Sequence, residues 1–219
     1  MNFDYGLVGE TGLAFFGKVS TTACHELKNV LAIINENNGL LEDMTFMAQK
    51  GRAIEPERLG RICEGIAKQV RRADELLDYI SRFAHSVDQF EDEINLEDCC
   101  RLVVFLARRL TAAKRLIVEV TTPPEGTARL TRGNPFLVEN LLWTALLEAM
   151  QFCDNGGTLR LMPGERDGQP MVAFGGLNCL SEDFCPTSPL SALLASAPAR
   201  WMTYCPEQRC ELIFTGGEG

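Results

Sequence analysis

Ala23-Cys24-His25-Glu26-Leu27-Lys28-Asn29-Val30-Leu31 holds the residues best suited to chemistry, because it carries one of the chain's two histidines in a helical pattern that turns the imidazole away from the apolar side. Ala23, Leu27, Val30, Ile34, Leu41, Met44 and Ala48 follow alternating steps of four and three once Asn37 is accepted in the series. With Ala23 at heptad position d and Leu27 at a, His25 falls at f, furthest from any packing partner. A hydrated imidazole titrates near its reference value of about 6.5, so it offers a neutral nucleophilic nitrogen near pH 7. Glu26 lies beside it, and Asn29 shares its surface stripe one turn on. The zinc pattern H-E-x-x-H is excluded because position 29 is Asn.

The element that carries this stripe reads as the first arm of a helical hairpin. A helix from about Gly12 to Gln49 turns through Lys50 to Pro56, and a second helix runs to about Phe90 with a seam at Leu59, Ile62, Ile66, Val70, Ala73, Leu77, Ile80, Ala84 and Val87. Each rod is on the order of 50 Å long at 1.5 Å per residue. Two such rods cannot cover each other's apolar faces, so a second copy of the hairpin is expected, giving a four-helix bundle across a two-fold axis. His85 lies one residue beyond the seam and reads as structural or neutral.

After Glu91-Asp92-Glu93 the pattern becomes mixed. Ile94 to Leu96 reads as a strand, Glu97 to Lys114 as a helix, and Leu116 to Val120 as a strand closed by Pro123-Pro124. Asn134-Pro135 opens an apolar helix from Phe136 to Phe152. Strands are expected at Thr158 to Met162, Met171 to Phe174 and Glu211 to Phe214, with a hairpin loop at Gly164 to Gln169 and a small-residue helix at Leu190 to Ala197. The expected organisation is therefore α+β, with a dimerisation hairpin at 1–92 and an α/β sandwich domain at 93–219.

His25-Glu26-Leu27-Lys28-Asn29 on the first helix of a hairpin resembles the phospho-acceptor H-box of sensor histidine kinases and related phosphotransferases, with Val30 in place of the family proline. Gly133 to Ala145 is similar to the stretch leading into and through the N-box of their ATP-binding domain, and the resemblance extends over roughly residues 13 to 215. Asn140 matches the first N-box asparagine, but Thr144 stands at the second and Leu147 at a later polar position. The family's D-x-G-x-G loop is replaced by Gly175-Gly176-Leu177-Asn178-Cys179. Leu180 to Pro186 occupies the place of the lid, and Gly216-Gly217-Glu218-Gly219 reads as a frayed tail. Without a carboxylate for adenine or a glycine-rich phosphate turn, no ATP binding and no directly bound metal are expected.

The resemblance then implies a dimeric histidine phosphotransferase of a phosphorelay. His25 would be the acceptor, Glu26 its orienting or deprotonating group, and Lys28 and Thr22 contacts for the receiver domain, which would bring its own Mg²⁺. Asn29 could instead position water for receiver dephosphorylation. The alternatives are a dimeric pseudokinase scaffold or receiver phosphatase, and a kinase with an altered nucleotide loop.

Composition bounds these readings. A net charge of −9 argues against nucleic acid or an anionic membrane as the main partner. No stretch has the roughly 18 apolar residues that span a bilayer, and Met1 to Tyr5 lacks the basic and apolar regions of a signal peptide. The nine cysteines have no C-x-x-C spacing and read as reduced core residues of a cytoplasmic protein.

Overall fold

The computed structural model describes residues 5–122, 130–181 and 184–215. The expected closure at Pro123-Pro124, Glu182-Asp183 of the lid-like segment and the Gly216–Gly219 tail lie outside them. Two helices come first, α1 (Tyr5–Gln49) and α2 (Pro56–Ser86). The remainder alternates: β1 (Asp92–Asn95), α3 (Leu96–Ala113), β2 (Ile117–Val120), β3 (Leu130–Gly133), α4 (Pro135–Ala149), β4 (Thr158–Arg166), β5 (Gln169–Gly175), α5 (Ser188–Ser196), β6 (Ala199–Tyr204) and β7 (Arg209–Phe214). The class is α+β, as expected. The compact units divide differently from the expected boundary after residue 92: one is Val19–Ala84, and the other joins the chain up to Lys18 with everything from His85 onward.

In the Val19–Ala84 unit, α1 ends in a turn where Gly51 takes φ +82 and its N–H donates to the Ala48 carbonyl at 2.9 Å, a conformation that suits glycine. Ala23, Val30 and Met44 are buried on α1, with Asn37 completing their steps of seven; Ile62, Leu76 and Phe83 are buried on α2, with Gln69 completing theirs. Asn37 is accommodated because its Nδ2 donates to the Ile33 carbonyl at 2.8 Å and its Oδ1 faces Gly65. A Cβ at Gly65 would come 3.2 Å from that oxygen, so the missing side chain lets the helices approach here.

The α2 seam expected from sequence is corrected in part. The line drawn through Val70 and Leu77 belongs to an adjacent stripe, while Leu76 and Phe83 turn inward. Leu77 is 50% exposed and Leu31 on α1 57% exposed, with Leu59 and Val70 also open. Both leucines of Leu76-Leu77 fit an apolar series, and burial distinguishes them. Helix α2 also stops at Ser86 rather than Phe90, and α1 begins at Tyr5 rather than Gly12.

In the second unit a five-stranded mixed sheet has the order β2-β4-β5-β7-β6, with β2 and β4 parallel and the other neighbours antiparallel, and β1 pairs with β3 in a separate ribbon. Helices α3, α4 and α5 pack together and against the sheet to form a two-layer sandwich. Its core joins Leu141, Leu142 and Leu146 of α4 to Leu159, Leu161, Phe174 and Phe214 of the strands. Local chemistry sets the helix starts: Asn95 Oδ1 accepts from Glu97 N at 2.9 Å, and Asn134 Oδ1 accepts from Leu137 N at 2.8 Å with Pro135 at the first turn. The hairpin expected at Gly164 to Gln169 is present with a shorter turn: β4 continues to Arg166, and Asp167 and Gly168 alone turn the chain with φ of 53 and 75. Strands β3 and β6 were not expected; each is short and defined by its partner strand.

The first turns of α1 belong to this unit. Phe15 is buried with its ring 5.6 Å from both Phe136 and Trp143 of α4, and Gly12 sits where a Cβ would come 3.3 Å from Phe136.

Candidate functional site

His25, Lys28 and Asn29 are exposed on one stretch of α1, as their spacing predicted, and no hydrogen bond of the His25 ring is present among the described residues. The Ala23–Val30 side packs and the opposite side faces solvent, which is the f-position geometry. Glu26 is half-buried and meets Arg72 of α2, whose Nη2 lies 2.5 Å from its Oε2. Sequence reading missed Arg72, because the two residues lie 46 positions apart and only hairpin closure joins them. The guanidinium holds the carboxylate and ties the two helices together one residue beyond His25.

Thr22 does not share this surface. It is 8% exposed, so the docking role expected for it is corrected: it sits one residue before Ala23 on the packed side of α1. Cys24 is exposed beside His25. His85 is exposed in the last turn of α2. The reading of the cysteines as core residues holds for Cys99, Cys100, Cys153 and Cys210, whereas Cys24, Cys63, Cys179 and Cys185 are exposed. Burial holds the Cys100 thiol well above the usual range and pushes Cys210 up to about 11, so neither is a reactive thiolate at neutral pH.

At the second set of expected residues, Asn140 is buried and the Thr144 hydroxyl donates to its carbonyl at 2.8 Å. The segment after β5 is held by its own contacts. Gly176 takes φ +82 against the Thr158 carbonyl, Asn178 N donates to Phe152 O at 2.6 Å, and Asn178 Nδ2 reaches Asp154 Oδ2 at 2.5 Å. Phe184 stands edge-on to Phe152 at 4.9 Å and packs near Trp201, which in turn lies 5.6 Å from Phe174. Aromatic rings fill the space beside this segment. Among the described residues no cluster of three or more metal-ligating side chains is present, and no helix is long and apolar enough to cross a membrane.

No family model and no curated protein matches the chain. Among solved structures, the catalytic domain of the histidine kinase ThkA is similar over 57% of this chain and 94% of its own, at 14% identity and a TM-score of 0.45. The histidine kinase AdeS of Acinetobacter baumannii is similar over 89% of this chain and 98% of its own, at 10% identity and a TM-score of 0.46. ThkA in complex with the response regulator TrrA is similar over 92% of this chain and 61% of its own, at 16% identity and a TM-score of 0.45.

Proposed function

We propose that the protein is a homodimeric histidine phosphotransferase of a two-component phosphorelay, carrying a phosphoryl group on His25 between receiver-domain aspartates. The observation that carries this reading is the exposed imidazole of His25, without a hydrogen bond among the described residues, within an H-box-like segment of a helical hairpin. Nε2 attacks phosphorus in line, forming an N–P bond as the acyl-phosphate P–O bond breaks and the receiver carboxylate leaves. The return step reverses this on a second receiver. Because phosphoryl transfer is chiefly positioning and charge neutralisation, and the receiver supplies the Mg²⁺, an accessible imidazole on a rigid helix is sufficient on this side.

Glu26, held by Arg72, orients the imidazole and stabilises its developing charge. Lys28 attracts the acidic receiver pocket. The exposed Leu31, Leu59, Val70 and Leu77 support dimerisation, since they leave each hairpin with apolar surface that a second copy would cover. The self-contacts of Asn178, the Phe184 cluster and the tied Thr144 hydroxyl support a domain that takes no ATP.

The second reading, a receiver phosphatase, is favoured by Asn29, which is exposed one turn from His25, where an amide would be available to orient a hydrolytic water. Incubation with a panel of phosphorylated receivers distinguishes the two. Label arriving on the protein supports transfer, accelerated loss of receiver phosphate without label supports hydrolysis, and tight binding with neither supports a scaffold.

A further inference from the structure

Along α1 of the Val19–Ala84 unit the packed series runs in steps of seven through Ala23, Val30, Asn37 and Met44, and only Asn37 is polar. The three apolar members are buried within the protomer, whereas Asn37 is half-buried. Opposite it lies Gly65, which has no side chain to close over the amide. One N–H of Asn37 Nδ2 donates to the Ile33 carbonyl at 2.8 Å; the other N–H and Oδ1 make no hydrogen bond among the described residues. The same unit leaves Leu31 on α1 and Leu59, Val70 and Leu77 on α2 open to water.

An amide in an otherwise apolar seam costs stability, and its best-attested use is to fix how helices align. A second hairpin that covers the open leucines also covers Asn37, which must then find partners for its free N–H and oxygen. A two-fold axis parallel to the helices brings identical residues of the two copies to one level. That layer holds two asparagines and two glycines, so there is room at the axis and each amide meets a donor and an acceptor. A slipped or antiparallel second hairpin sets the amide against apolar seam residues such as Ile34 or Leu41 and leaves it unpaired.

We propose that Asn37 is the residue by which the hairpin selects a second copy of itself in parallel alignment, through contact of the two Asn37 amides across the axis. This selection rests on the homodimeric reading above and names the residue that decides which hairpin is accepted.

A charge swap in the full chain, followed by sedimentation with circular dichroism as the check on helicity, tests the proposal. N37D and N37K each place like charges at one level, so each should dimerise about tenfold or more weakly than the unmodified chain, and an equimolar mixture of the two should restore a dimer holding one copy of each. Tagged N37L mixed with the unmodified chain should form fewer mixed dimers than random pairing gives, because a mixed layer leaves one amide unpaired. If either charged chain fails to fold, the N37L mixture decides. N37D dimerising as well as the unmodified chain, folded N37D and N37K that do not combine, or random mixing of N37L overturns the selection by Asn37 while the unmodified chain remains a dimer. A monomeric unmodified chain overturns the homodimeric reading itself and the selection with it.

Discussion

At His25 the chemistry and the packing separate cleanly, because an exposed imidazole on the solvent side of α1 contributes little to the fold. His25→Gln should therefore abolish acceptance of label from a phosphorylated receiver while leaving circular dichroism and sedimentation unchanged, and His85→Gln should alter neither. Label on His25→Gln protein would end the acceptor reading. The Glu26–Arg72 pair makes a second, separable prediction. Both partners keep partial access to water, so Arg72→Ala should cost no more than about 1 kcal/mol in denaturant unfolding. It should nevertheless slow transfer as Glu26→Ala does, and the double variant should lose little more than either single one. Additive losses in single-turnover kinetics would show that the pair does not act as a unit.

Within the hairpin, the close approach at Gly65 and Asn37 is a packing decision with a measurable cost. Gly65→Leu pushes a side chain into the Asn37 amide and should destabilise the hairpin by about 1–3 kcal/mol in thermal or denaturant unfolding. The exposed stripe calls for the opposite kind of variant. Val70→Glu with Leu77→Glu adds charge at side chains already about half open to water, at 45% and 50% exposure, so the chain should stay helical but sediment as a monomer. Replacing Ile34 or Ile66 by Asp, at half-buried seam positions, should damage the hairpin itself. A dimer that survives both stripe substitutions would move the interface elsewhere.

For the whole molecule, the proposed division of labour is a phospho-acceptor hairpin joined to an α/β sandwich that has given up nucleotide. Sedimentation at micromolar concentration should find a dimer, and a monodisperse folded monomer would contradict it. Titration with Mg²⁺ and millimolar ATP should give no saturable binding. Labelling from the γ-phosphate without any partner protein would instead identify a kinase.

Much of this was legible in one dimension because it depends on local periodicity and capping. The steps of four and three placed His25, Lys28 and Asn29 outside and Ala23 and Val30 inside, and Asn134-Pro135 marked the start of α4 to within a residue. What remained hidden depends on contacts between residues far apart in sequence. Leu76 and Leu77 are equally apolar, and only the neighbouring helix decides which is buried. Thr22 looked available until its side of α1 was covered, and Arg72 acquired a role only when the hairpin brought it to Glu26. Strands β3 and β6 exist through pairing with β1 and β7, which short segments do not announce. Glu148, unremarkable within an apolar helix sequence, is buried by tertiary packing, which sets its Oε1 to accept the Thr187 N–H. Periodicity records which face a residue occupies, whereas the partner of that face is a property of the folded chain.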